Sequence, residues 1–178
     1  MKKYYQDLKE QLKKDLNIHN TMAVPALKKI VVNVGVKNAV MDKKNIEIVS
    51  QVLAQITGQK PKVNAAKKSI AGFKVREGDK IGLMVTLRGD RMYGFYGKLV
   101  HVVLPRIKDF RGVKSTAFDS KGNYTLGLSE YSVFPEVDSG RIDTIQGLEI
   151  CIVTSAKNQQ EGFALLKAMG MPFVKGGK

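Results

Sequence analysis

Apolar residues fall into two rhythms along this chain. Tyr4, Tyr5, Leu8, Leu12 and Leu16 recur at helical spacing and predict an amphipathic helix at the start. "KKIVVNVGV" then alternates β-branched and small or polar residues after Pro25, the pattern of a strand with one buried face. Helical spacing returns in "KKNIEIVSQVLAQIT", where Ile46, Val49, Val52, Leu53 and Ile56 share one side; Asp42 is placed to cap this helix and Gly58 to stop it. A short strand near "PKVNAA" and a longer one in "KIGLMVTLRG" follow. Asp90 is placed to cap a third helix through "RMYGFYGKLVHVVL", which Pro105 would end.

Farther on, "FDSKGNYTLGLS" reads as a turn feeding a strand, and "EYSVFPEVDSGRIDTIQG" as a long surface loop without sustained period. "LEICIVTS" is a strand, and "NQQEGFALLKAMG" a closing helix with Phe163, Ala164, Leu166 and Ala168 spaced for packing and Gly170 beyond it. No linker, repeat or low-complexity segment divides residues 1 to 178, so a single domain is expected. This order predicts an α+β fold: a mostly antiparallel sheet with helices packed on one face and the other face open.

Strand parity says what that open face would carry. In the first strand Ile30, Val32, Val34 and Val36 form one row and Lys29, Val31, Asn33, Gly35 and Lys37 the other. In "KIGLMVTLRG" Ile81, Leu83, Val85 and Leu87 separate from Gly82, Met84, Thr86 and Arg88. Tyr124, Leu126 and Leu128 split likewise from Asn123, Thr125 and Gly127. A polar row is also what any half-solvated antiparallel sheet shows. As a binding surface it offers short hydrogen bonds to sugar hydroxyls and phosphates, with Gly35 and Gly82 leaving room for another backbone. A flat sheet suits the wide, shallow groove of A-form RNA.

Charge sharpens this picture. The formal net charge is +14, which asks for a polyanionic partner. It is concentrated in residues 1 to 114, where 24 Lys and Arg face 9 Asp and Glu; residues 115 to 155 carry 2 against 6. Two partners of opposite sign are therefore expected. One cluster is "AAKKSIAGFKVREGDKIG", in which Lys67, Lys68, Lys74, Arg76 and Lys80 surround Phe73. Phe73 either pins this loop onto the domain or stacks on an unpaired base. Gly72 and Gly78 beside it would let the loop flex.

No stretch is apolar enough to span a bilayer and none has signal-peptide character, so a cytoplasmic protein without a membrane partner is expected. A single cysteine, Cys151, agrees with a reducing compartment. Phosphate-loop, dinucleotide and zinc signatures are absent, and no small-molecule substrate, cofactor or metal is implied. His19 and His101 are isolated, His101 reading as packed or capping, and Cys151 as a buried small hydrophobe. Glu136, Asp138 and Asp143 are too loosely spaced for a convincing Mg²⁺ site. The competing class is an RNA-modifying or RNA-cleaving enzyme with its substrate on the basic surface and a metal on that acidic loop. A membrane-surface protein would need an apolar anchoring stripe, which is missing.

Long strings carry a further signal. "KIVVNVGV", "ITGQKPKVNAAKKSIAGFKVREGDKIGLMVTLRGDRMYGF", "LPRIKDFRG", "FDSKGNYTLGLSEYSVFPEVD" and "LLKAMGMPF" resemble, in order and over essentially the whole chain, the bacterial large-subunit ribosomal protein L-five family. The resemblance implies a non-enzymatic constituent of the central protuberance that binds 5S rRNA and attaches it to large-subunit rRNA. By motif position it implies RNA contacts at Asn33 in "VVNVG", at Gln59 in "TGQKP" and at Thr86 in "MVTLR"; Lys29, Lys60, Lys67, Lys68 and Arg88 are the basic rRNA-binding candidates beside them. The loop bearing Phe73, Lys74, Arg76 and Lys80 is implied to lie near RNA and peptidyl-site tRNA. Glu136, Asp138 and Asp143 are implied to face a basic small-subunit head protein across an intersubunit bridge.

Overall fold

Five strands and five helices account for the regular structure of the computed structural model, which describes residues 2–36, 44–137 and 146–174. The helices are α1 (Lys2–Asp15), α2 (Lys44–Thr57), α3 (Gly89–Lys98), α4 (Leu104–Arg106) and α5 (Gln159–Ala168). The strands are β1 (Leu27–Gly35), β2 (Lys62–Ala65), β3 (Lys80–Leu87), β4 (Tyr124–Leu128) and β5 (Leu148–Thr154), and they form one sheet in the order β2-β3-β1-β5-β4. Pairing is antiparallel: Lys62 faces Met84 and Asn64 faces Gly82, the Val36 N–H donates to Ile81 O at 2.9 Å, and the Ser155 N–H to Ala26 O at 2.8 Å. The fold is therefore α+β, and the alternation of side chains translates directly into a sheet with two unlike faces.

Contacts divide the chain into two units. Residues 1–30, 88–126 and 151–178 make the first, residues 31–87 and 127–150 the second. In the second unit α2 packs on β3, burying Ile46, Val49, Val52, Leu53 and Ile56 together with Val32, Val34, Leu83, Val85 and Leu87. The helix stops where Gly58 turns to φ +66, a left-handed conformation that glycine adopts without a Cβ penalty. β2 is an edge strand of four residues, and its register with β3 slips between Asn64 and Ala65.

The first unit gathers α1, α3, α4 and α5. Tyr5 is buried with its hydroxyl donating to Pro25 O at 2.9 Å, and Leu12 is buried two turns along the same helix face. α5 opens on Asn158, whose side chain accepts the Glu161 N–H at 2.9 Å, and closes before Gly170 at φ +85. Its first turn lies against Gly122: a Cβ on Gly162 would collide with the Gly122 backbone, and one on Gly122 would sit 2.5 Å from Asn158 O. An aromatic cluster of Phe118, Tyr124, Phe163 and Phe173, with ring centroids 4.7 to 6.2 Å apart, fills the space beside it.

Several expectations are corrected. Asp90 does not cap α3; Arg88 occupies the cap position without a side-chain bond, and Asp90 lies in the first turn, where its charge complements the helix dipole. Pro105 does not end that helix either. A π-helical turn over Leu99–Val103, with the Leu104 N–H reaching Leu99 O, widens the backbone just before the proline, and α4 carries on to Arg106. Pro105 has no N–H to donate and its ring would press on the carbonyl four residues back, so a wider turn there relieves both problems. The stretch after β4 is not wholly a surface loop: Tyr131, Phe134 and Val137 are buried. His101 is exposed rather than packed, and Cys151 is half-buried on the row facing away from Ile150 and Ile152, its sulfur 3.5 Å from the Thr125 hydroxyl. Lys37, Asp42, Asp138 and Asp143 lie outside the described residues.

Candidate nucleic-acid interface

The second unit holds most of the residues singled out for RNA. On β1 and β3, the two central neighbours there, the alternate row is Val31, Asn33 and Gly35 beside Gly82, Met84 and Thr86. Asn33 and Gly35 are exposed; Val31, Gly82, Met84 and Thr86 are half-buried, while Val32, Val34, Leu83 and Val85 on the opposite row are sealed. The side chains of Asn33 and Thr86 make no hydrogen bond among the described residues. Nothing lies within 4 Å of a Cβ built on Gly35, and one on Gly82 would meet only Val34 O at 3.3 Å. The row is thus low in relief, with an amide and a hydroxyl unspent.

Gln59 is brought to the same strand by the end of α2. Thr57 donates its hydroxyl to Leu53 O at 2.7 Å and accepts the Gln59 N–H at 3.4 Å, fixing the chain as it leaves the helix. Past Gly58, the Gln59 side-chain amide donates to Thr86 O at 3.3 Å, which brings Gln59 beside Thr86. Lys60, next along, is exposed.

β2 and β3 continue beyond the sheet as a finger over residues 66–79. The Ala66 N–H donates to Asp79 O at 2.8 Å and the Gly78 N–H to Ala66 O at 3.0 Å; a second rung pairs Ile70 with Val75 at 2.9 and 3.2 Å; and the Glu77 N–H is held by the Ser69 hydroxyl at 2.9 Å. A 3-10 turn, Ala71–Phe73, forms the tip, closed by Lys74 in the left-handed region at φ +52. The expected loose loop is therefore a cross-braced one. Phe73 is 75% exposed, so it does not pin the finger to the domain, and Ile70 behind it is 49% exposed. Parity and charge counts pass over Ile70; its place three residues before Phe73 in a short turn is the signal that could have found it.

Lys67, Lys68, Lys74, Arg76 and Lys80 are all exposed and have no ion-pair partner among the described residues. Glu77 and Asp79 are the two acids among these five cations, and the Asp79 carboxylate accepts the Arg76 backbone N–H at 2.7 Å. Lys29 is half-buried on β1 and Arg88 exposed at the end of β3, both counted in the first unit. Glu136 is exposed on the turn anchored by Phe134 and Val137, and its expected companions Asp138 and Asp143 are beyond the described residues. Among the described residues no group of His, Cys, Asp or Glu could hold a metal ion, and no helix is long and apolar enough to cross a membrane.

Comparison with known proteins bears on the whole chain. Residues 20–76 match the family "Ribosomal protein L5", and residues 80–173 match the C-terminal segment of the same ribosomal family. The large ribosomal subunit protein uL5 of Chloroflexus aggregans is 54% identical over 171 residues, covering 96% of this chain and 95% of that protein. Its counterpart in Synechococcus sp. is 52% identical over 172 residues, covering 97% and 96%. That of Chloroflexus aurantiacus is 55% identical over 171 residues, with 96% and 95% covered. With both family segments in order and relatives matched end to end at this identity, the chain belongs to the ribosomal protein L5 family.

Proposed function

We propose that this chain is a non-enzymatic constituent of the large ribosomal subunit that binds 5S rRNA on the alternate row of β1 and β3 and attaches it to the subunit's own rRNA. The observation that carries the reading is the pair of unspent polar side chains, Asn33 and Thr86, on a flat row whose other side is sealed. Polar groups left without an internal partner on a low surface are what an RNA backbone can satisfy through its 2′-hydroxyls and phosphates. Gln59, already donating one amide hydrogen to the sheet, retains its acceptor for the same partner. The finger, with Phe73 at its tip and uncompensated cations along it, reaches peptidyl-site tRNA by stacking and phosphate contact. The acidic stretch of Glu136, Asp138 and Asp143 meets a basic protein of the small-subunit head.

Binding to 5S rRNA tests the first part. Asn33→Leu and Thr86→Leu should each weaken the complex about 5- to 30-fold, the loss of one or two hydrogen bonds worth about 1–2 kcal/mol. Lys14→Ala, an exposed change on α1, should cost less than either. Equal losses from all three, or an unmodified chain with no preference for 5S rRNA over unrelated structured RNA, would refute the assignment. For the bridge, replacing Glu136, Asp138 and Asp143 with their amides should leave RNA affinity unchanged and impair subunit joining; joining at the unmodified rate would count against it.

A further inference from the structure

A second cationic feature belongs to the first unit. The turn over residues 106–114 contains Arg106, Lys108, Arg111 and Lys114, all exposed, with Asp109 as its one acid. None of the four cations has an ion-pair partner among the described residues. We propose that this turn is an RNA-binding surface in its own right, taking the sugar–phosphate backbone of large-subunit rRNA.

Like charges crowded into so short a segment repel one another, and a segment that only needed solvation could relax them apart. This one is held in place. The Ile107 N–H closes on Leu104 O at 3.2 Å; the Val113 N–H donates to Pro172 O at 2.8 Å and the Val174 N–H to Val113 O at 3.1 Å; and the buried Tyr124 donates its hydroxyl to Lys114 O at 2.9 Å. Asp109 at φ +56 and Gly112 at φ +115 both have positive φ. A Cβ on Gly112 would lie 2.8 Å from Val174 N, so only glycine fits that approach. The backbone is thus fixed by partners far along the chain, and the cations it carries are left uncompensated. With the backbone already fixed, binding has only the long side chains left to order.

Phosphates fit the turn better than protein carboxylates do. A nucleic-acid strand offers an unbroken row of negative charges, and cations two or three residues apart along one turn can each take one. Phe110, the only aromatic in the stretch, is half-buried, so no apolar anchor of the kind protein interfaces use stands beside them. The choice of large-subunit rRNA rests on the proposed function: if the sheet row holds 5S rRNA, attachment requires a grip on the subunit's own RNA, and this turn is a cationic surface not otherwise engaged.

Tethered hydroxyl-radical cleavage separates the two assignments. In a chain carrying Cys151→Ser, an iron–EDTA group is attached either through Lys108→Cys or through Lys62→Cys, an exposed position opposite Met84 at the margin of the sheet row, and each protein is assembled with 5S and large-subunit rRNA. Cleavage of large-subunit rRNA from position 108 is expected; cuts confined to 5S rRNA, or none, overturn the inference. Position 62 probes the sheet row independently: absence of cuts in 5S rRNA from there refutes 5S binding on that row, whatever position 108 cleaves. Replacing Arg106, Lys108, Arg111 and Lys114 together with Gln should lower the logarithmic salt slope for large-subunit rRNA by about 3, at roughly 0.7–0.9 per phosphate released, and leave 5S affinity within about twofold. An unaltered slope overturns the proposal.

Discussion

Tyr124 shows how one side chain joins packing, hydrogen bonding and titration. Its ring is buried against Phe118 and Phe173, its hydroxyl is spent on Lys114 O, and burial pushes its pKa up to about 12. Because the folded chain holds this proton more tightly than the unfolded one, the associated stability is complete below pH 10 and is lost as pH rises from 10 to about 12. Tyr124→Phe should cost about 1 kcal/mol at neutral pH, for the lost hydrogen bond, and should lessen the decline in stability on the alkaline side. Urea titrations at pH 7 and at pH 11 check both halves; an equal penalty at the two pH values would exclude the linkage. Burial also raises Tyr5, Tyr96 and Tyr131, so some alkaline sensitivity should persist. At the opposite end of the scale, Asp119 is held below its ordinary value by the Asn123 side chain, which donates to it at 2.7 Å. Asn33 and Thr86 are legible in the sequence, since parity in a half-buried strand assigns each residue a side. Parity assigns Cys151 the row opposite Ile150 and Ile152 in the same way; the apolar character of a thiol is what speaks for burial instead.

Among the elements, those with a strong period match their sequence patterns and those shaped by a single contact do not. α2, β1 and β3 follow from regular apolar spacing, which local sequence displays in full. The π turn before Pro105 follows from one ring meeting one carbonyl, and the anchoring of Tyr131 and Phe134 from packing with no repeat behind it. Such features are decided by tertiary partners that spacing does not reveal. The junction of α5 with Gly122 belongs to this group and is open to a direct test. Gly162→Ala favours the helix by propensity but drives a methyl into the Gly122 backbone. A net loss of about 1–3 kcal/mol is expected from the denaturation midpoint, with helix content preserved. A neutral or stabilising result would mean that the two segments can part without penalty.

For the molecule as a whole, the division into two units cuts through β1, β4 and β5 rather than between elements. Strands that supply residues to both units give neither a complete sheet of its own, and we propose that the chain folds as one cooperative domain. Calorimetry should then show a single transition with equal van't Hoff and calorimetric enthalpies; two resolved transitions would refute this. The charge contrast read from the sequence also acts at this scale. Residues 1 to 114 supply the cations of both the finger and the 106–114 turn, whereas the acidic stretch follows β4. The bracing of the finger is hidden from sequence, because its rungs pair backbone groups that no side-chain pattern marks.

The edge of the sheet at β2 has a consequence for how so basic a chain behaves when it is crowded among its own copies. Four residues, a register slip at Asn64/Ala65 and the exposed Lys62 leave a border too short, too kinked and too charged to template a neighbouring molecule. That border of the sheet is thereby guarded against pairing with a second copy; β4 forms the other border.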